Sequence, residues 1–239
     1  MLISLYRNDR PSLLLSLPLW CAVPWIGGLW HPAPVTVLGQ GMVYGSIASW
    51  LSGPSWAIMV AGWLLTMLIA AQLVFLLNDA ELGGRRNHLP VVLFPLLLAL
   101  HPQPSSMGPE LLGMPLVVLA MRRLWLGNAA RAGLSSLFDT GLFLGAASIF
   151  HLPYAFLVIV VWAINAVMRP FHWRDHLVPV VGVVLVRFMF WGGAMLLGVQ
   201  RTVSEPLSSG APVAVATTAN GSYPLLLAGM LAAFTFAAV

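Results

Sequence analysis

Two charged residues lie inside apolar stretches of this sequence. Asp139 stands in GLSSLFDTGLFLGAASIFHLP and Arg187 in LVPVVGVVLVRFMFWGG. A charge in hydrocarbon is costly unless it faces the interior of a bundle and has a partner, and these two charges have opposite signs. We therefore predict an ion pair between them. One interpretation is structural: the pair only fixes helix packing, or Arg187 instead reaches a wet cavity. The other is functional: the pair forms a coupling site or a site for a substrate anion.

The composition places these residues in a membrane protein. Apolar residues make up 59% of the chain and charged residues 8%, and the mean hydropathy is +0.90. These values exclude a water-soluble domain and predict an all-α polytopic transmembrane bundle. All eleven basic residues are arginines, and the pI reflects a handful of loop charges rather than a basic face, so no nucleic-acid partner is expected. The single cysteine, Cys21, is expected to pack in an apolar segment.

The helices that would position the charged residues are predicted from apolar runs, since about 20 residues cross the hydrocarbon core. The third run is the shortest and covers only about 20 Å of the roughly 30 Å required, so it is either re-entrant or extended by its flanks. Eight runs are present: Ser12–Trp30, Ser55–Leu77, Leu89–His101, Glu110–Leu126, Leu134–Phe150, Leu152–Met168, Leu177–Gln200 and Pro224–Val239.

The arginines predict which side each loop occupies, because positively charged short loops stay in the cytoplasm. Every second connection is basic, so we predict a cytoplasmic amino terminus and one integral membrane domain over residues 1–239, with the chain ending inside its last helix. The arginines in or around these basic connections are Arg7 and Arg10, then Arg85 and Arg86, then Arg122, Arg123 and Arg131, and finally Arg169 and Arg174.

Three polar motifs punctuate these runs: NDAELGGRRNHLPVVLFPLLLALHP, LFDTGLFLGAASIFHLP and MRPFHWRDHLVPVVGVVL. With them the chain resembles a family of uncharacterised bacterial multi-pass inner-membrane proteins, some of which carry the label beta-carotene monooxygenase. The resemblance implies an inner-membrane location and no particular activity. An iron site of the labelled kind needs several histidines on one metal, whereas three of the six are predicted on each side of the membrane. We expect neither a metal site nor another cofactor.

The segment MRPFHWRDH interleaves aromatic and basic side chains. Arg169, Trp173 and Arg174 suit an interfacial turn, with the indole among headgroups and guanidinium groups on phosphates. One interpretation is an ordinary membrane anchor. The alternative is a site for a phosphate-bearing lipid or a partner protein, completed by Arg85 and Arg86.

Glu110 is the candidate carboxylate of the predicted outer face. It suits the first turn of the fourth helix, where a negative charge complements the helix dipole. The alternative is a base or metal ligand beside His101, as an enzyme acting on a polyprenyl-phosphate-linked glycan would need. The sequence contains no Gly-rich phosphate loop, nucleophile elbow or HExxH motif, so we assign no catalytic residue.

Short loops and small-residue faces favour a non-enzymatic component of a cell-envelope assembly, with membrane lipids and other membrane proteins as partners. Gly133, Gly141, Gly145 and Ala146 would allow close helix contact. Asp139, Arg187 and the proline-interrupted helices favour a carrier for a lipid or small amphiphile instead. The glycan enzyme is the third alternative.

Overall fold

The computed structural model describes residues 16–30, 55–79, 88–100, 107–129, 133–168 and 172–196. This part of the chain is helical and contains no strand. The predicted eighth segment, Pro224–Val239, lies outside it. The α-helices are α1 (Leu17–Trp30), α2 (Ser55–Asp79), α3 (Pro90–Ala99), α4 (Pro109–Ala129), α5 (Gly133–Phe150), α6 (Val158–Met168) and α7 (Trp173–Leu196), and a 3-10 helix (Leu152–Leu157) precedes α6.

Three helices are long and apolar enough to cross a membrane, over Met59–Asp79, Gly133–Phe150 and Trp173–Leu196. They belong to α2, α5 and α7, and they are consistent with a membrane protein. The third predicted segment forms α3, a helix of ten residues that covers only about 15 Å. α4 has 21 residues but carries Arg122 and Arg123 in its last two turns and is not among the three.

Two predicted segments differ from the helices that form. The sixth run begins as a 3-10 helix and becomes α-helical only at Val158, with Pro153 at the start of the 3-10 turn. The seventh helix begins at Trp173, four residues before the predicted Leu177. Hydropathy misses this first turn because it is polar, yet Asp175 there suits the positive end of the helix dipole.

α5 is the central helix of the larger core. It packs against α4 on one side and α7 on the other, and two-thirds of its residues are buried. Leu137 and Leu144 of α5 pack in this core with Leu124 of α4 and Val183 of α7. The close packing of these apolar side chains against one another stabilises the contacts of α5 with α4 and α7.

Glycines set the distance between α5 and α7. A Cβ atom on Gly182 of α7 would lie 2.9 Å from backbone atoms of Phe138, Gly141 and Leu142 in α5, and one on Gly145 would lie 3.0 Å from Val183 and Val186. These contacts progress in the same direction along both helices, so α5 and α7 run parallel. Small residues permit this backbone approach.

The predicted small-residue face is only partly correct. Gly141 and Gly145 line the α5–α7 contact, and Ala146 is buried in the same core. Gly133 takes no part, because no described atom lies within 4 Å of the place its Cβ would occupy. Its φ of 65° instead starts α5 in a conformation that favours glycine.

A second core joins α1, α2 and α3. The Trp25 Nε1 atom of α1 donates to Thr66 Oγ1 of α2 at 3.0 Å, and Trp63 Nε1 donates to the Pro18 carbonyl oxygen at 3.0 Å. Cys21 is fully buried in this core, as its apolar surroundings predict. α2 also packs against α4, which connects this core to the larger one.

Candidate functional site

Asp139 pairs with a different arginine from the predicted one. Its Oδ2 atom accepts a hydrogen bond from Arg123 Nε of α4 at 3.0 Å. The predicted Asp139–Arg187 pair is wrong, because Arg187 contacts Ser148, nine positions further along α5. Nine residues of helix separate the two levels by about 13 Å. The prediction compared only depth from one end of each helix and overlooked α4.

A second ion pair lies next to the first. Arg122 Nε of α4 donates to Asp79 Oδ2, the last residue of α2, at 2.8 Å. Adjacent residues of a helix point about 100° apart, so the two arginines reach two different neighbouring helices. We call Asp79, Arg122, Arg123 and Asp139 the paired cluster.

Hydroxyl groups reinforce the α4–α5 contact near the paired cluster. Ser136 Oγ donates to the Arg123 carbonyl oxygen at 2.7 Å, which joins α5 to α4. Thr140 is fully buried, and its Oγ1 lies 2.8 Å from the Ser136 carbonyl oxygen and 3.5 Å from that of Ala120. Polar side chains therefore hold α4 and α5 together over more than one helical turn.

Arg187 lies near the other end of α5 and is half-buried. Its Nη1 atom is 3.3 Å from Ser148 Oγ and 3.5 Å from the Ser148 carbonyl oxygen. Ser148 Oγ itself donates to the Gly145 carbonyl oxygen at 2.7 Å, so toward the guanidinium it acts as an acceptor. We call Arg187 and Ser148 the arginine–serine site. Among the described residues, no carboxylate lies within 4.0 Å of Arg187.

Glu110 occupies the first turn of α4, as predicted. Its carboxylate lies against Gly108, just before the helix begins, where a negative charge complements the dipole. The Tyr154 hydroxyl donates to the Glu110 carbonyl oxygen at 2.6 Å, and the Tyr154 ring packs over Gly113. Tyr154 thus ties the 3-10 helix to the start of α4. His101, the other residue of the proposed outer carboxylate site, lies outside the described residues.

The start of α7 presents exposed aromatic and basic side chains. The Arg174 guanidinium lies 5.7 Å from the centre of the Trp173 ring, within reach of a cation–π interaction. Trp162 Nε1 of α6 donates to the His176 carbonyl oxygen at 2.7 Å, which anchors this end of α7 to α6. The residues that would complete the predicted interfacial site, Arg85, Arg86 and Arg169, lie outside the described residues.

Four buried side-chain atoms in the described ranges have no hydrogen-bond partner there: Gln72 Oε1, His88 Nδ1, His151 Nδ1 and Asn165 Oδ1. Gln72 lies in α2 and Asn165 in α6, whereas His88 precedes α3 and His151 precedes the 3-10 helix. The same ranges contain no group of three His, Cys, Asp or Glu side chains arranged to hold a metal ion. The polar chemistry of this part of the chain is therefore concentrated in the paired cluster and the arginine–serine site.

Sequence reasoning missed Arg123 and Ser148, although each carries a signal. Arg123 and Asp139 both stand eight positions from Arg131, in the connection between α4 and α5. Antiparallel helices joined by a short connection bring such equidistant residues together. Ser148 continues the spacing of Gly141 and Gly145 by one turn, which places it on the face of α5 that meets α7.

Comparisons with known proteins add no relative. The chain matches no protein-family model, no curated protein and no solved structure. What can be inferred about its function therefore rests on the composition, the helix contacts and the two polar sites described above.

Proposed function

We propose that the chain is a multi-pass protein of the bacterial inner membrane with a cytoplasmic amino terminus. Three helices of suitable length and hydropathy support a membrane location. The alternation of arginine-rich connections with connections that contain at most Arg201 supports the orientation and the eight crossings. The polar motifs that resemble the bacterial multi-pass family support the choice of membrane.

The orientation is tested by reporter fusions. A fluorescent protein on the amino terminus and alkaline phosphatase fused after residue 40 should both be active, because the first folds in the cytoplasm and the second in the periplasm. The same two reporters exchanged between these positions serve as the matched control and should be inactive. An active phosphatase on the amino terminus would contradict the proposed orientation.

In this membrane the chain serves as a non-enzymatic component of a cell-envelope assembly. The observation that carries this proposal is the paired cluster, in which Arg122 and Arg123 of α4 each engage the carboxylate of a different helix. These charges are directed at neighbouring helices rather than converging on one point where a substrate could react. Helices joined by contacts of this kind suit a protein that holds partners in a fixed arrangement.

The test is mass spectrometry of proteins and lipids that co-purify with the full-length chain from its native membrane. A stoichiometric protein partner is expected. A polyprenyl-phosphate or glycolipid recovered without any protein partner would overturn the proposal in favour of a lipid-linked glycan enzyme or a carrier.

Two arginine variants make this test sharper. Arg174→Gln changes an exposed side chain at the start of α7, whereas Arg122→Gln changes one held by Asp79. If partners dock at the exposed basic and aromatic end of α7, Arg174→Gln should reduce their recovery at an unchanged melting midpoint. The control variant Arg122→Gln should recover the same partners as the wild type. If Arg174→Gln loses its fold, Arg174 is a membrane anchor rather than part of a docking surface.

A further inference from the structure

The arginine–serine site leaves most of a charged group without strong partners. Nη1 of Arg187 makes two contacts of 3.3 and 3.5 Å, whereas charge-assisted N–H···O bonds are typically about 2.7–2.9 Å long. A guanidinium has five N–H donors. Within the described ranges, only Ser148 accepts from Arg187, so the group retains donors for a further ligand.

The site also lacks a counter-charge where one is expected. Arg187 lies within α7, one of the three helices able to cross a membrane. Of the four carboxylates in the described ranges, Asp79 and Asp139 pair with other arginines. The third, Glu110, lies against Gly108, and Asp175 stands twelve positions before Arg187, about 18 Å away along the helix. An ionisable side chain within a membrane-spanning helix is by default a candidate functional site.

The position of the site suits the headgroup end of an amphiphile. Ser148 stands two residues before α5 ends at Phe150, about 3 Å from the end of that helix. Val184 and Trp191 flank Arg187 on the same side of α7 at the spacings of neighbouring helical turns. Their side chains are 58% and 48% exposed, so an apolar surface adjoins the guanidinium. Headgroup and chain of one molecule could be contacted together.

We propose that Arg187 and Ser148 bind the phosphate group of a membrane amphiphile. The planar guanidinium offers paired donors that match phosphate oxygens, while Ser148 holds it in place through its two acceptor oxygens. The exposed surface at Val184 and Trp191 receives the acyl or prenyl chain. This inference goes beyond the proposed assembly role and does not depend on it.

The test is native mass spectrometry of the full chain titrated with dioleoyl phosphatidylglycerol, with dioleoylglycerol as the phosphate-free comparison. The wild type should retain the phospholipid preferentially. Arg187→Gln should weaken retention about tenfold, which corresponds to about 1.4 kcal/mol, and Ser148→Ala about twofold. The matched control Arg122→Gln should stay within about twofold of the wild type.

Equal retention by Arg187→Gln and Arg122→Gln would overturn the proposal. Arg187→Lys, which keeps the charge without the paired donors, should give intermediate retention and replaces the glutamine variant if that variant does not fold. If Arg187→Lys retains the phospholipid as well as the wild type does, paired donors play no part in binding, and this result would also overturn the proposal.

Two further arms identify the source of the anion. Displacement of the phospholipid by millimolar inorganic phosphate would support the same site with a soluble phosphate as its ligand, and the absence of displacement would support the lipid.

Glu205 is the carboxylate nearest in sequence beyond Arg187. Phospholipid retention that appears only in Glu205→Gln would show that the chain supplies its own counter-ion, which would overturn the proposal.

Discussion

The two ends of α5 hold an arginine in different ways. At one end, Arg123 of α4 meets the Asp139 carboxylate at 3.0 Å, and neighbouring hydroxyl groups reinforce the contact between the helices. At the other end, the hydrogen-bond acceptors that Arg187 of α7 meets within the described ranges are the two oxygen atoms of Ser148, at 3.3 and 3.5 Å. The first arrangement is electrically neutral, and the second leaves a positive charge.

The difference teaches that depth alone does not identify charge partners in a helix bundle. Asp139 and Arg187 both stand in apolar stretches of adjacent parallel helices, yet their levels differ by the nine residues between Asp139 and Ser148. The antiparallel neighbour α4 supplies an arginine at the level of Asp139. A neutral contact can serve packing alone, whereas a charged contact remains open to an anion.

The largest expected effect comes from separating α5 from α7. Gly182→Leu would place side-chain atoms where α5 backbone atoms lie 2.9 Å from the Cβ position. Overpacking of this kind should lower the free energy of unfolding by about 3 kcal/mol, measured by reversible denaturation in mixed micelles. Asp139 should keep its α4 partner, while Arg187 loses Ser148.

Gly192→Leu is the matched control for this experiment. Gly192 lies on the same helix, and no described atom lies within 4 Å of its Cβ position. The substitution should change the free energy of unfolding by less than about 0.5 kcal/mol. Equal losses for the two leucine variants would show that the glycine contact does not set the α5–α7 distance.

A double-mutant cycle compares the two possible partners of Asp139. Asp139→Asn and Arg123→Gln should be coupled by about 0.5–1 kcal/mol, because the ion pair is partly exposed and screened. Asp139→Asn and Arg187→Gln should be additive within about 0.3 kcal/mol. A larger coupling energy in the second cycle would support the Asp139–Arg187 pair and contradict the pairing of Asp139 with Arg123.

Ser148→Ala sharpens the description of the charged end. The variant removes the hydroxyl acceptor but leaves the backbone carbonyl oxygen, so the free energy of unfolding should fall by about 0.5 kcal/mol. Ser136→Ala removes a side-chain hydrogen bond of 2.7 Å to the Arg123 carbonyl oxygen and should cost more, about 1 kcal/mol. A loss for Ser148→Ala above that for Ser136→Ala would contradict the weak contact described for Arg187.

The smallest expected effect concerns the neighbouring ion pair. Arg122 and Asp79 have side chains 41% and 32% exposed, so Arg122→Gln should cost no more than about 0.5 kcal/mol. Raising the salt concentration should reduce this difference, since exposed pairs are screened. A difference that persists unchanged at 1 M salt would indicate that Arg122 acts through packing.

Much of the helical layout could be predicted because hydropathy reports directly which segments avoid water. The predicted boundaries of the second to fifth segments lie within three residues of α2 to α5. The polar first turn of α7 was not predicted, because apolar periodicity carries no information about a turn of this kind. Asp175 and the hydrogen bond from Trp162 stabilise it.

The candidate site was less predictable because it depends on relative helix positions. Asp139 and Arg187 were identified as unusual from residue type alone, but their partners depend on the glycine contact that fixes the α5–α7 register and on α4 beside α5. The equal distance of Arg123 and Asp139 from the intervening connection was available in the sequence. The weak Arg187–Ser148 contact required the three-dimensional arrangement.

The 3-10 helix before α6 changes how far a short segment can reach. A 3-10 turn rises about 2.0 Å per residue and an α-helix about 1.5 Å. The six residues of Leu152–Leu157 and the eleven of Val158–Met168 therefore extend about 28 Å, against about 27 Å for the longer α5. The greater rise of the 3-10 turns lets this segment reach the length of α5 with one residue fewer.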